Sequence, residues 1–147
     1  MDEQAYLDEL TRRVAAALPV RAVVPIGSWS RGEYVPGRSD LDVVALATAP
    51  VTDAQRKHIV ATCSHDALPC PATKLELVVY EPDGATVALN LNTGSDGTTH
   101  DRGEEWFWFV IDRALNAGAI PGLEKPADDE VERAKAIVRE RYPDEAR

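Results

Sequence analysis

Apolar side chains recur along this chain with two different periods. In residues 2–18 they return every three or four positions, which is the spacing of one face of a helix. These residues are Leu7, Leu10, Val14 and Leu18. Residues 41–47 are apolar on both faces after the carboxylate of Asp42, which is typical of an inner strand covered on both sides. Because helical and strand patterns both occur, the sequence predicts an α/β (α+β) fold.

The remaining elements follow from the same patterns and from turn residues. We predict further strands over 21–26, 74–80 and 85–92, and further helices over 50–63, 104–117 and 128–142. Residues 93–103 are rich in Gly, Ser, Asp and Thr and are predicted to form a loop. A length of 147 residues suits one domain. We expect 1–98 to form its core and 99–147 to form a helical extension of the same single domain.

The charge of the chain limits its partners. It has 16 Lys and Arg residues against 25 Asp and Glu, a net charge of −9, and no basic cluster. Proteins that bind DNA or RNA usually present a basic surface, so we expect no nucleic-acid partner. An acidic protein suits a cationic small molecule better.

The sequence also bears on location and cysteine chemistry. No apolar run approaches the roughly 20 residues that cross a bilayer, and Met1-Asp2-Glu3 is not the basic start of a signal peptide. We therefore expect a cytoplasmic protein with no membrane partner. Cys63 and Cys70 are expected to be reduced thiols. A metal site that includes His65 is the less favoured alternative, because the spacing matches no zinc pattern.

The segment over 27–44 concentrates the residues that suggest chemistry, and it reads GSWSRGEYVPGRSDLDVV. Because side chains alternate along a strand, Asp40 and Asp42 point the same way and can share a cation. Mg²⁺ prefers such oxygen ligands and completes its shell with water and substrate phosphates. The glycines let main-chain N–H groups approach a ligand closely. Ser28 adds a hydroxyl and Arg31 a permanently charged donor.

This segment resembles the signature of the polymerase β-like nucleotidyltransferases, in which Gly-Ser, Arg-Gly and Ser-Asp-x-Asp follow one another at this spacing. Within that superfamily the chain is most similar to the aminoglycoside nucleotidyltransferases, whose third acidic residue lies in a strand like KLELVVY, residues 74–80. The phrases LNLNTG (89–94) and WFWFVIDRA (106–114) also look like segments that follow that strand. The resemblance implies a mixed, mostly antiparallel sheet of four to five strands flanked by helices.

The resemblance also implies a reaction and the residues that perform it. AMP would pass from ATP, with Mg²⁺ (two ions), to a hydroxyl of a small molecule, in particular an aminoglycoside antibiotic, as in resistance enzymes. Asp40, Asp42 and Glu76 would bind the metal, and Glu76 would take the acceptor proton. An exposed position on an edge strand is the structural alternative for Glu76. The nucleotide would be held by Gly27, Ser28, Arg31 and Ser39.

The chain departs from the family where the acceptor would bind. Enzymes of this kind generally carry a C-terminal helical domain, whereas here only the predicted helix over 128–142 remains. Either a second subunit, as a homodimer or a helical protein partner, supplies the missing wall, or the acceptor is a different one, or the activity is residual. The competing hypothesis is a minimal nucleotidyltransferase of a toxin–antitoxin pair, which modifies or binds a protein. The ammonium groups of a polycationic acceptor would meet Asp96, Asp101, Glu104 and Glu105.

Overall fold

The computed structural model describes residues 1–102, 106–116 and 124–144. Internal contacts divide the chain into two compact units, 1–103 and 104–147. The strands are β1 (Val20–Ile26), β2 (Leu41–Ala47), β3 (Lys74–Tyr80), β4 (Val87–Gly94) and β5 (Gly97–Asp101). The helices are α1 (Glu3–Ala17), α2 (Gly27–Ser30), α3 (Asp53–Cys63), α4 (Trp106–Leu115) and α5 (Asp128–Arg141).

The first unit is built on one five-stranded sheet with the order β1-β2-β3-β4-β5. Strands β2 and β3 are parallel, and the other neighbouring pairs are antiparallel. A parallel pair needs a crossover connection, and α3 lies in it. The fold is therefore the mixed, mostly antiparallel sheet flanked by helices that was expected.

One face of this sheet carries the main hydrophobic core. Alternate residues of the inner strands pack with α1 and α3 and are almost completely buried. They include Leu41, Val43, Leu75, Leu77, Leu89 and Leu91. Helix α1 contributes the predicted stripe Leu7, Leu10, Val14 together with Leu18 just beyond its end. Burial of each such side chain contributes about 1.5–3 kcal/mol, so this face holds the inner strands firmly in register.

Local hydrogen bonds fix where the two covering helices begin. The Asp2 carboxylate accepts a hydrogen bond from the Ala5 N–H at 2.7 Å and caps α1. Thr52 and Gln55 form a capping box at the start of α3, with each side chain accepting from the other residue's N–H. Helix α3 thus starts soon after β2 ends. The chain can therefore return and begin β3 beside the start of β2.

The prediction of a loop over 93–103 is wrong for residues 93–101, and Gly103 lies outside the described residues. Thr93 and Gly94 complete β4, and Gly97–Asp101 form β5. Gly94 pairs with Gly97, so the intervening Ser95 and Asp96 make a two-residue hairpin turn. Gly97 has a φ of 133°, a conformation open mainly to glycine. Gly94 and Gly97, two of the glycines that suggested a loop, therefore flank the turn of a hairpin.

In the described part of the second unit, α4 and α5 pack against each other. Their core consists of Phe107, Val110, Val131, Ala134 and Val138. The Arg141 guanidinium lies 5.6 Å from the centre of the Phe107 ring, a cation–π distance. None of the helices in the described ranges is both long and apolar enough to cross a membrane.

Candidate functional site

One row of Cα partners crosses the whole sheet and carries two of the predicted acidic residues. Ile26 pairs with Asp42, Asp42 with Glu76, Glu76 with Asn92, and Asn92 with Thr99. Directly paired residues point to the same face, and neighbouring strands lie about 4.8 Å apart. Asp42 and Glu76 are therefore side by side, on the face opposite the main core.

The parallel pairing explains how residues so distant in sequence meet. Asp42 is the second residue of β2 and Glu76 the third of β3, and both strands begin at the same edge of the sheet. Strand β3 is the middle strand, and Glu76 is partly buried. The alternative of an exposed edge-strand position for Glu76 is therefore wrong.

The Gly-Ser turn lies directly against Asp42. Gly27 has a φ of 68°, in the left-handed region that favours glycine. A Cβ atom placed on Gly27 would lie only 2.4 Å from Asp42 Oδ2, which no real side chain tolerates. Gly32 has a similar φ of 73°, but a Cβ there would meet nothing within 4 Å. The first glycine of the motif is thus required by contact with the carboxylate as well as by backbone conformation.

The electrostatic setting of Asp42 is unfavourable for a negative charge. The pKa of Asp42 is raised from 3.8 to about 6, mainly by burial and also by the nearby charge of Asp40, while Lys74 and Arg31 partly oppose these effects. Two close carboxylates of this kind repel each other unless a cation or a proton intervenes. The pair therefore forms a place where a bound cation would be stabilised.

Asp40 is held by residues that the sequence did not point to. Thr73 donates hydrogen bonds from Oγ1 to the Asp40 carboxylate and, at 3.2 Å, to the Ser39 carbonyl. Lys74 Nζ lies 3.8 Å from Asp40 Oδ2. Thr73 immediately precedes β3, and Lys74 is its first residue. The only sequence signal for their role was this polar pair directly before the Leu-Glu-Leu segment. They link the starts of β2 and β3.

The other predicted nucleotide ligands have local partners in the structure. Arg31 Nε lies 3.2 Å from the Glu33 carboxylate, and its charge also reaches Asp42. Ser39 Oγ accepts a hydrogen bond from the Val35 N–H at 2.9 Å and so closes the preceding turn. Ser28 is partly buried in α2, directly after Gly27. Phosphate binding by these side chains stays a prediction.

A cleft of about 470 Å³ opens beside Asp40. Small-molecule sites commonly have volumes of roughly 300–1,000 Å³, so this cleft has room for a ligand. Its walls come from the starts of β2 and β3 and from the β4–β5 hairpin, and include Asp40, Lys74, Asn92, Asp96, Thr98 and Thr99. Asp96, one of the residues expected to meet a cationic acceptor, therefore shares a cleft with Asp40.

The other residues predicted to contact the acceptor are Asp101, Glu104 and Glu105. Asp101 is exposed at the end of β5, two strands from Glu76, and lines a different cavity from the cleft beside Asp40. Glu104 and Glu105 lie outside the described residues. Contact between these three residues and a substrate stays a prediction.

The cysteine pair and His65 serve the packing of a loop. Cys63 and Cys70 are free and buried. His65 Nδ1 accepts a hydrogen bond from the Cys70 N–H at 2.9 Å, and the His65 N–H donates to Thr93 Oγ1 at 2.7 Å. These bonds tie the loop after α3 to β4, which agrees with the favoured interpretation of the cysteines as reduced thiols.

The predicted metal ligands are Asp40, Asp42 and Glu76. In the described ranges, no three His, Cys, Asp or Glu side chains are grouped closely enough to hold a metal ion. Mg²⁺, however, usually takes one or two protein carboxylates and finds its other ligands on water and phosphates. Asp40 and Asp42 provide such a pair, whose mutual repulsion a cation would relieve. The residues therefore fit the ion.

A comparison of the sequence with models of known protein families finds no family model that matches it. Function is therefore inferred from the motif and from the geometry of the site itself.

Proposed function

We propose that this protein transfers AMP from ATP to a hydroxyl group of a small molecule. The observation that carries the proposal is the pairing of Asp42 with Glu76 on one sheet face, with Gly27 in contact with Asp42. The resemblance to nucleotidyltransferases supports it, because that family uses the positions of Asp40, Asp42 and Glu76 for metal binding and catalysis. One line of support is the sequence motif, and the other is the strand register that brings Asp42 and Glu76 together.

The proposed chemistry is an in-line displacement at the α-phosphorus of ATP. Asp40 and Asp42 would hold Mg²⁺, which would supply positive charge to neutralise the phosphates. The acceptor oxygen forms a bond to the α-phosphorus, and the bond from that phosphorus to pyrophosphate breaks. Glu76 takes the proton that the acceptor hydroxyl loses. The chain contributes mainly positioning and electrostatic stabilisation.

The Gly-Ser turn supplies the nucleotide contacts. The backbone of Gly27 and the hydroxyl of Ser28 bind phosphate oxygens, next to the carboxylate that Gly27 contacts. Arg31 contributes a positive charge close to the same carboxylate. Ser39 keeps the segment before Asp40 in its turn through the bond from the Val35 N–H.

The cleft beside Asp40 favours an acceptor that carries both hydroxyl and ammonium groups, such as an aminoglycoside. Asp40 and Asp96 give it negative charge, and Asn92, Thr98 and Thr99 provide hydrogen-bonding groups. The net charge of −9 draws a polycation toward the protein.

The proposal is tested with the full chain, ATP, Mg²⁺ and kanamycin as the acceptor. We expect pyrophosphate release together with an acceptor product heavier by one AMP. Asp42→Asn and Glu76→Gln should each lower the rate by at least about a hundredfold, because each removes a group that acts on the reacting atoms. Asp8→Asn, an exposed change on α1, is the control and should leave the rate unchanged.

Two results would contradict the proposal. One is the absence of pyrophosphate release from folded protein with every hydroxyl acceptor tried. The other is release that continues unchanged in both Asp42→Asn and Glu76→Gln.

A further inference from the structure

A second cavity, of about 480 Å³, lies between α3 and the end of β5. We call it the α3–β5 groove and define it by Arg56, Lys57, Val60, Leu89, His100 and Arg102, which are among its lining residues. Leu89 belongs to the main core, and Leu91, which pairs with His100, does too. The groove is therefore on the helix-covered face of the sheet, opposite the face of Asp42 and Glu76.

The groove exists because the helix layer stops short of the last strand. Every residue of β5 is exposed, and the main core that α1 and α3 cover contains none of them. One stripe of α3, at positions 53, 56, 57, 60 and 61, faces the uncovered space. Val60, which is partly buried, and Ala61, which is exposed, give this space an apolar floor, and the buried Leu89 lies beneath it.

The rim of the groove carries a surplus of positive charge, although the chain as a whole has a net charge of −9. Arg56, Lys57 and Arg102 stand against two carboxylates, Asp53 and Asp101, a surplus of one positive charge. Asp53 Oδ1 accepts hydrogen bonds from Arg56 at 2.7 Å and from Arg102 at 2.9 Å, so one carboxylate holds both guanidinium groups at the rim. Arg56 is fixed further by donation from Nε to the Ala88 carbonyl at 2.9 Å.

We infer that the α3–β5 groove binds a small organic monoanion, a carboxylate with an apolar body. The body would lie on Val60 and Leu89, and the carboxylate would meet Lys57 and Arg102 at the rim. A surplus of one positive charge matches a singly charged ligand better than a dianionic phosphate. The volume lies within the roughly 300–1,000 Å³ of common ligand sites. This site does not depend on the proposed transfer of AMP.

The inference is tested with three probes that share a two-ring body and differ in charge: naphthoate, naphthamide and naphthylmethylamine. They are titrated into the full chain and followed by calorimetry and by amide NMR shifts. We expect naphthoate to bind with a Kd of about 1 mM or tighter, as suits its size. It should bind at least about tenfold more tightly than naphthamide, because a charged hydrogen bond is lost in the neutral probe. The shifted amides should centre on Val60, Leu89 and His100.

Two variants sharpen this test. The double variant Lys57→Gln/Arg102→Gln should weaken naphthoate binding by about tenfold while leaving naphthamide binding unchanged. The matched control, Lys135→Gln/Arg139→Gln on α5, removes two cations elsewhere and should have no effect. Ala61→Trp should fill the groove and abolish binding of both probes.

Several outcomes would overturn the inference. These are equal affinity for naphthoate and naphthamide, wild-type affinity in the double variant, amide shifts centred outside the groove, or no binding of any probe. Dimerisation of the chain that Ala61→Trp weakens would also overturn it, because a second copy would then occupy the groove.

Discussion

The two ends of β2 and β3 use the same sheet face in opposite ways. At the starting end this face carries Asp42 and Glu76, both partly buried. Two and four residues further along, the same face carries Val44, Leu46, Val78 and Tyr80, each at most 4% exposed. The apolar end stabilises the strands, whereas the acidic end places charges where they are costly. A carboxylate pair can therefore be tolerated, because the same strands are fixed over the rest of their length.

The largest predicted effect is at the apolar end. Leu46→Ala should lower the free energy of unfolding by about 2–5 kcal/mol, because it removes buried methyl groups and leaves a cavity. Urea unfolding at neutral pH measures the change. A loss below about 1 kcal/mol would show that this end of the face does not stabilise the strands as described.

At the acidic end we predict the opposite sign. The pKa of folded Asp42 is about 6 against 3.8 when unperturbed, so the folded protein binds more protons between these pH values. The free energy of unfolding therefore falls as the pH rises through this range, by roughly 3 kcal/mol at most. Asp42→Asn removes the charge and should be more stable than wild type at neutral pH by about 1–3 kcal/mol.

The measurement for Asp42→Asn is urea unfolding across this pH range with EDTA present. Below pH 3.8 the wild-type carboxyl is also neutral, so the two proteins should differ little there. A variant that is less stable than wild type at neutral pH would contradict the electrostatic description of the site.

Substitution of the two motif glycines distinguishes the effect of contact with Asp42 from the effect of backbone conformation. Gly27→Ala and Gly32→Ala both place a side chain at positive φ, which costs about 1–2 kcal/mol. Only the first also forces a Cβ into the Asp42 carboxylate. Gly27→Ala should therefore lose about 1–2 kcal/mol more than Gly32→Ala in thermal or urea unfolding. Equal losses would mean that the turn does not lie against the carboxylate.

The smallest predicted effect concerns the coupling of the two carboxylates. Asp40→Asn removes a neighbouring negative charge and should shift the pKa of Asp42 downward without restoring its ordinary value, because burial is the larger cause of the shift. Carbon NMR titration of the Asp42 carboxyl measures it. An unchanged or raised pKa would show that the two carboxylates do not interact.

The sequence predicted the parts of this molecule that have a local signal. The stripe of α1, the apolar runs of β2 and β3 and the Gly-Ser and Asp-x-Asp motif could all be recognised from periodicity or spacing. Strand β5 could not, because an edge strand exposed on both faces has no apolar alternation. The contacts of Thr73 and Lys74 with Asp40 could not be predicted either, because they depend on the parallel pairing of β2 with β3.

The most direct test of the proposed site is calorimetric titration of ATP into wild type and Asp42→Asn at neutral pH, with Mg²⁺ and with EDTA. We predict that wild type binds ATP only when Mg²⁺ is present and that Asp42→Asn binds at least about tenfold more weakly. Binding of equal strength in EDTA, or wild-type affinity in Asp42→Asn, would contradict a metal-dependent nucleotide site at Asp40 and Asp42.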